Sequence, residues 1–229
     1  KEVMDWVTNR VYSFNSIVRA LDNRKNQAID NAQYPVLDST RKFDIVLVIG
    51  GGDSAIEHID AIKEFARLHR NIALVFATAR HASKYLDLSV PKYYCLIGSE
   101  SRRLSMNVDS DTFNDVCVLP PYPRVMGTEV PSFANDKTFE LSEVVLSTDY
   151  KDSVTTIALQ LAKQLSVGKI YMVGYDGYVG NVLSEKEASL TNENKSIFSS
   201  FLDYYGEKLR SLTPTIYKEL YVESVYQFI

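Results

Sequence analysis

The feature that most constrains the fold is an apolar run, Phe43–Ile49, which ends in three consecutive glycines, Gly50, Gly51 and Gly52. A run rich in β-branched residues, without polar alternation, is typical of a strand that is buried on both faces of a parallel sheet. After the glycines, apolar residues recur at helical spacing over residues 56–68, and Asp53 or Ser54 is suited to cap that helix. This region therefore predicts a strand, a tight turn and a helix.

The same alternation continues along the chain. Further strands are predicted at 72–76, 93–97, 116–119 and 169–173, with helices at 153–165 and 184–209. Short edge strands are predicted at 211–213 and at Val225 and Tyr226, and residues 120–142, which are rich in proline, form a long loop. Strands that alternate with helices require right-handed crossovers. The predicted fold is a Rossmann-like, three-layer α/β domain with a mostly parallel sheet over residues 43–229.

The N-terminal part of the chain has a different pattern. Apolar residues at three- and four-residue spacing predict an amphipathic helix, with Val3, Trp6, Val7, Phe14, Ile17, Val18 and Leu21 on its apolar face. Residues 23–42 are polar and contain Pro35, which indicates a linker. We therefore place a domain boundary between residues 42 and 43, with a helical extension and linker over 1–42.

Charge and composition exclude several classes of partner. With 25 basic and 29 acidic residues, the net charge of −4 gives no electrostatic footprint for nucleic acid. No apolar run approaches the roughly 18 residues of a membrane span, and no signal peptide is recognisable, so we expect a cytoplasmic protein. Cys95 and Cys117 lie inside apolar runs and are expected to be buried thiols.

The candidate binding residues follow predicted strands, because ligands of parallel sheets bind at the carboxyl ends of the strands. Consecutive glycines allow the backbone to approach an anion closely, which favours a phosphate contact at the first turn. The alternatives there are a tight structural turn, or Asp53 binding a sugar hydroxyl or capping the helix. This turn contributes Gly50, Gly51, Gly52, Asp53 and Ser54 to the predicted site.

Three later turns extend the prediction. Ser99 and Arg103 follow the strand at 93–97, where an arginine is able to pair with phosphate or simply face solvent. Ser153 and Thr155 begin a helix, which suits either anion binding or ordinary capping. Asp176 follows the strand at 169–173 and is suited to a sugar hydroxyl or a metal, or to a simple turn. All these residues are expected to converge at the carboxyl edge of the sheet.

Other chemistry is weakly indicated. The three histidines, His58, His69 and His81, are too scattered for a metal site, and no catalytic residue can be assigned. Tyrosines cluster around strand ends and are candidates for stacking on a base or for packing in the core: Tyr93, Tyr94, Tyr171, Tyr175 and Tyr178.

Two resemblances extend these expectations. Residues 153–162 followed by 169–176 resemble a unit of the archaeal 6-hydroxymethylpterin diphosphokinase-like family, and are similar to a unit of some bacterial sialyltransferases. This resemblance implies a Rossmann-like sheet that binds a phosphate-bearing donor. Those families usually have Gly-Pro-Ser at the first turn, where this chain has three glycines followed by Asp53 and Ser54.

A second, closer resemblance covers nearly the whole chain. It rests on residues 4–18, the Gly50 turn and residues 171–178, 183–187, 192–194 and 211–217. These segments look like the C-terminal region of bacterial two-domain proteins whose N-terminal barrel is of the HMG-CoA lyase and 4-hydroxy-2-oxovalerate aldolase type. The resemblance implies a covalently attached N-terminal barrel, and residues 1–42 would be the tail of that barrel. It also implies a divalent metal, Mn or Mg, in the barrel and no cofactor in the present chain.

Three functional hypotheses follow. The first is an accessory domain of an aldolase or lyase that binds a nucleotide, a nucleotide sugar or another phosphorylated ligand, and that has no aldol-cleaving activity by itself. The second is a glycosyl- or diphospho-transferase domain in its own right. The third is a non-catalytic assembly module, and a homo-oligomer is compatible with each of the three.

Overall fold

The computed structural model describes residues 32–38, 40–124, 128–147, 149–180 and 182–229. The predicted N-terminal helix lies outside the described residues. The residues described confirm the predicted fold class, a three-layer α/β domain with a parallel sheet. None of the helices described is both long and apolar enough to cross a membrane.

The described strands form one eight-stranded sheet in the order β5-β4-β3-β2-β1-β6-β7-β8, and every pairing is parallel. The strands are β1 Phe43–Ile49, β2 Ile72–Phe76, β3 Lys92–Cys95, β4 Val116–Leu119, β5 Thr138–Glu140, β6 Ser166–Val173, β7 Arg210–Ser211 and β8 Tyr221–Val222. The α-helices are α1 Ser54–Glu57, α2 Ile59–Leu68, α3 Glu100–Asn107, α4 Val154–Leu165 and α5 Glu185–Tyr205. Short 3-10 helices span Ala79–Tyr85, Ser132–Lys137 and Val225–Gln227.

The central strand β1 has buried side chains on both faces of the sheet, as its continuous apolar run predicts. Val46 and Val48 belong to the core that contains residues of α4 and α5, whereas Leu47 and Ile49 belong to the core beneath α2 and α3. The two cysteines are free and buried, as expected, and lie in different cores, Cys95 in the first and Cys117 in the second. The sheet therefore separates the two thiols.

Several local predictions need correction. The helix after the glycines consists of two pieces, because the backbone at His58 leaves helical geometry. Helix α5 ends at Tyr205, four residues before the predicted end, because Gly206 adopts a left-handed conformation with φ of 68°. The predicted strand at Val225 and Tyr226 is a 3-10 helix.

The proline-rich loop and the predicted linker also contain structure that the sequence pattern did not indicate. Within residues 120–142 lies β5, a strand of three residues that pairs with β4. On the outer side of β5, Leu37 donates its amide to the Glu140 carbonyl at 2.8 Å, and the Glu140 amide bonds to Pro35 at 3.0 Å. Part of the predicted linker is therefore hydrogen-bonded to the edge of the sheet.

Candidate functional site

The strand order of the sheet reverses at the carboxyl ends of β1 and β6. From β1 the chain proceeds outward through β2 to β5 and then crosses to β6 on the other side of β1. In open parallel sheets, this reversal of strand order separates the loops and is where ligands usually bind. The turn after β1 and the turn after β6 are therefore the first elements to consider.

These two turns are joined by direct hydrogen bonds. The Gly50 amide donates to the Val173 carbonyl and the Gly52 amide to the Gly174 carbonyl, both at 2.8 Å. A Cβ atom at Gly50 would lie 2.5 Å from the Gly174 oxygen. Likewise, a Cβ atom at Gly52 would lie 2.6 Å from the carboxyl carbon of Asp176. The close approach of the two turns thus explains two of the three glycines without a ligand.

Asp176 occupies the beginning of α1. Its carboxylate accepts hydrogen bonds from the Ser54 amide, at 2.9 Å, and from the Ser54 hydroxyl, which also lies 2.9 Å from the hydroxyl oxygen of Thr213. Asp53 is at the N-cap position, but its side chain makes no capping bond. The group that caps α1 is therefore Asp176, from the neighbouring turn, rather than Asp53 or Ser54 as the sequence suggested.

The third glycine has different surroundings. At Gly51 a Cβ atom would meet the Thr78 methyl group at 3.1 Å and then the Arg80 guanidinium at 3.9 Å. The Gly51 carbonyl accepts a hydrogen bond from Arg80 Nη1 at 3.1 Å and lies 3.3 Å from His81 Nε2. Arg80 and His81, which follow β2, thus extend over the middle of the glycine turn.

The surroundings of the Arg80 charge bear on what could bind at this turn. Among the described residues, no carboxylate oxygen lies within ion-pair distance of its guanidinium. Its bond to Gly51 uses one of the five N–H donors of the guanidinium. The other donors remain suited to an anion beside the turn.

His81 has its pKa lowered below the ordinary value. The main cause is burial of the imidazole, and the positive charge of Arg80 lowers the pKa further. The hydrogen bond to the Gly51 carbonyl and the carboxylates of Asp53 and Asp176 act in the opposite direction and raise the pKa. The imidazole is therefore neutral near pH 7. Because Nε2 faces a carbonyl oxygen, that nitrogen carries the proton and Nδ1 is left as an acceptor.

A pocket of about 480 Å³ opens next to this turn. It combines cationic groups with an imidazole and carboxylates, and its lining residues are Asp53, Ile56, Glu57, Arg80, His81, Ser83, Lys84 and Asn107. A pocket of this size and polarity suits a small, charged ligand.

Ser99 and Arg103 lie on the β3–α3 side of this region. Arg103 forms an ion pair with Glu100, and the other oxygen of that buried carboxylate accepts the Ala79 amide at 2.8 Å. Ser99 is at the N-cap position of α3 without a side-chain capping bond. The structure thus connects this turn to the β2 turn through Glu100, and pairs Arg103 internally.

Ser153 and Thr155 lie at the carboxyl edge, but on the other face of the sheet. Ser153 caps α4 by accepting the Thr155 amide at 3.3 Å. The Thr155 hydroxyl donates to Asn194 at 2.9 Å, and the Asn194 amide group donates to the Tyr217 hydroxyl at 3.2 Å. These hydroxyls belong to an internal network that does not include Gly51.

The predicted binding residues are thus arranged in three groups at the carboxyl edge. Gly52 and Ser54 lie against the Asp176 carboxylate, and Arg103 pairs with Glu100, which bonds to the turn after β2. Ser153 and Thr155 are linked to Asp176 through the loop of Tyr217, whose neighbour Ile216 donates its amide to the Asp176 carbonyl at 3.0 Å. Four of the five tyrosines are core residues, exposed by 6% or less, while Tyr178 is 39% exposed. Base stacking is therefore open to Tyr178 and not to the other four.

Arg80 and Glu100 are not among the residues predicted from the sequence, and His81 is among them only as a metal ligand that the spacing disfavours. Thr78, Arg80 and His81 directly follow β2, so the carboxyl-edge rule, applied to that turn, would have identified them. Within the described part of the chain, no three His, Cys, Asp or Glu side chains come together as metal ligands.

Comparisons with known proteins support the fold. No protein-family model matches the chain, and no curated protein does. A solved structure, the MAf glycosyltransferase from Magnetospirillum magneticum AMB-1, superposes with a TM-score of 0.53 at 12% identity. The match covers 90% of this chain and 38% of the glycosyltransferase, so the chain spans less than half the length of that protein. At this identity the likeness is one of fold.

Proposed function

We propose that this chain is a glycosyltransferase domain that binds a nucleotide sugar at the carboxyl edge of its sheet. Two independent observations support the proposal. The fold is similar to that of a glycosyltransferase, and the edge where parallel sheets bind ligands holds a glycine turn beside a pocket of about 480 Å³.

The observation that carries the proposal is the position of Arg80. Its guanidinium is held over Gly51 and has no carboxylate partner among the residues described. A guanidinium with free donors forms strong, paired hydrogen bonds with phosphate oxygens. Lys84 lines the same pocket and adds positive charge. The Ser54 amide at the start of α1 is already bonded to Asp176 and is not free to bind a phosphate. The phosphate of a nucleotide sugar would therefore be bound beside the turn by Arg80.

Glycosyl transfer requires two groups that this pocket contains. The bond between the anomeric carbon and the phosphate oxygen breaks, and its electron pair remains on that oxygen, whose charge Arg80 stabilises. An acceptor hydroxyl forms the new bond to the anomeric carbon and loses its proton to a base. The neutral imidazole of His81 offers Nδ1 for that proton.

The other hypotheses have less support. The comparisons give no support to the predicted attachment to an aldolase-like barrel, and that prediction, with its divalent metal, stays untested. Nothing observed at the site favours transfer of a diphosphate over transfer of a sugar, whereas the structural similarity is to a glycosyltransferase.

Isothermal titration calorimetry with UDP-, GDP- and CMP-activated sugars tests the proposal. We expect saturable binding of at least one donor, weakened about tenfold or more in Arg80→Gln, because a charged hydrogen bond to phosphate is lost. Arg102→Gln is the matched control, since Arg102 is exposed and does not line the pocket. Absence of binding to every donor, or equal affinity in the two variants, would contradict the proposal.

A further inference from the structure

A second cavity, of about 520 Å³, lies away from the carboxyl edge, where β7 and β8 meet the end of α5. Strand β7 pairs with β6 at Tyr171 and Met172, so on the side of β6 away from β1 the preceding residues Gly168, Lys169 and Ile170 border a gap. The residues that line it are Gly168, Lys169, Ile170, Phe201, Glu207, Lys208, Leu209, Arg210 and Tyr221.

The apolar part of this cavity is rigidly held. Ile170, Phe201 and Leu209 are exposed by 8%, 0% and 3%, and all three belong to the core on the α4 and α5 face. Close-packed side chains of this kind keep their positions when a ligand is absent. The cavity therefore has a fixed apolar floor rather than a mobile loop.

Its rim has an excess of positive charge, although the whole chain has a net charge of −4. Glu207, which lines the cavity, pairs with Lys163, and Glu223 pairs with the lining residue Arg210. Lys169 and Lys208 have no carboxylate partner among the described residues. Lys169 Nζ lies 6.0 Å from the centre of the Tyr171 ring. Two such lysines in the lining of one cavity favour an anionic ligand.

Tyr221 gives the cavity a flat wall. The guanidinium of Arg210 lies 5.5 Å from the centre of the Tyr221 ring and holds that ring in place. Tyr221 is 53% exposed. An exposed aromatic ring beside cationic groups suits a ligand that has both a planar ring and a phosphate.

From this arrangement we infer a second binding site, distinct from the carboxyl-edge pocket, for a small phosphorylated molecule with an aromatic ring. Lys169 and Lys208 bind the phosphate, and the ring of the ligand stacks on Tyr221. The inference does not depend on the proposed glycosyltransferase function, because it involves no residue of the carboxyl-edge pocket.

Amide NMR of the ¹⁵N-labelled chain, titrated with AMP and separately with inorganic pyrophosphate, tests this site. Both probes are expected to shift amides at 168–170, 207–210 and 221. Lys169→Gln/Lys208→Gln is expected to weaken both by about tenfold or more. Tyr221→Ala is expected to weaken AMP and to leave pyrophosphate unchanged.

The matched control is Lys186→Gln/Lys195→Gln, which removes two exposed lysines of α5 that do not line the cavity. Its affinity for both probes should equal that of the unmodified chain. The inference is wrong if neither probe shifts the cavity amides, or if the Lys169/Lys208 variant binds as tightly as the control. Shifts confined to the Gly50 turn and Arg80 would also overturn it and would leave the carboxyl-edge pocket as the binding site.

Discussion

Gly50, Gly51 and Gly52 follow one another in the β1–α1 turn, but a side chain at each position would meet different surroundings. At Gly50 and Gly52 it would collide with the turn after β6. At Gly51 it would extend toward Arg80, into the space where we place the ligand phosphate. A substitution series therefore separates the structural glycines from the one that a ligand would need.

Gly51→Val is expected to abolish nucleotide-sugar binding while lowering the free energy of unfolding by only about 1 kcal/mol, because its closest neighbour is a methyl group. Gly52→Ala should destabilise more strongly, since its Cβ would lie 2.6 Å from the Asp176 carboxyl carbon. Urea unfolding and calorimetry on both variants measure the two effects. If Gly51→Val binds donor normally, the phosphate does not lie at this turn.

The lowered pKa of His81 predicts a pH effect on stability. Since the folded pKa is below the ordinary value of 6.5, the unfolded chain binds the proton more readily. The contribution of the neutral His81 imidazole to the free energy of unfolding is therefore complete above about pH 6.5. It is lost as the pH falls toward the pKa of His81 in the folded chain.

His81→Gln should accordingly lose less stability than the unmodified chain between about pH 7.5 and pH 5. Urea midpoints at the two pH values measure the difference, with His58→Gln as the control outside the carboxyl-edge pocket. Parallel pH profiles for the His81 variant and the unmodified chain would contradict the assigned burial of the imidazole.

At the scale of elements, the outer edge of β5 is covered by residues 35–37, and one ion pair holds this contact. Arg124 bonds to the Glu140 carboxylate at 2.7 Å, and their side chains are 2% and 11% exposed. Arg124 also donates to the Ala32 carbonyl at 2.9 Å and to the Pro120 carbonyl at 3.2 Å. The pair therefore connects the segment before β1, the loop after β4 and strand β5.

Arg124→Met is expected to lower the free energy of unfolding by about 3 kcal/mol, because it leaves the Glu140 carboxylate buried without its partner. Arg124→Met/Glu140→Leu should recover much of this loss, since no buried charge remains. Urea unfolding of the two variants measures the difference. An unchanged stability in the single variant would show that water reaches the carboxylate.

Elements with a strong local pattern could be predicted from the sequence, and those formed by distant contacts could not. Strand β1 and helix α4 have clear periodicities, and the order of strands and helices was sufficient to infer a parallel sheet. Strand β5 is only three residues long and lies in a proline-rich segment, so no periodicity marks it. The break at His58 lies within an uninterrupted apolar pattern and was likewise not indicated.

The same distinction applies to the candidate site. The carboxyl-edge rule located the glycine turn and Asp176 in one region, because strand ends are visible in the sequence. That Asp176 caps α1 was not predictable, since Ser54 and Asp176 are 122 residues apart. Arg103 appeared to be a free cation because its partner, the buried Glu100, is identified only by the fold.

At the scale of the whole molecule, the sheet presents two chemically different regions. The carboxyl edge has a glycine turn beside Arg80, and the cavity beside β7 and β8 has Lys169 and Lys208 in its lining together with an apolar floor. None of these three cations has a carboxylate partner among the described residues. The chain spans 38% of the length of the glycosyltransferase that it resembles. Binding of a nucleotide-sugar donor at the carboxyl edge is the first property that the proposed function requires of this chain.

Binding of a nucleotide sugar at the glycine turn can be tested by an amide NMR titration of the ¹⁵N-labelled chain with UDP-, GDP- and CMP-activated sugars. We predict that at least one donor shifts the amides of Gly51, Asp53 and residues 79–81, and that Gly51→Val removes these shifts while the rest of the spectrum remains that of a folded chain. No shift with any donor, or shifts that avoid this turn, would contradict the account.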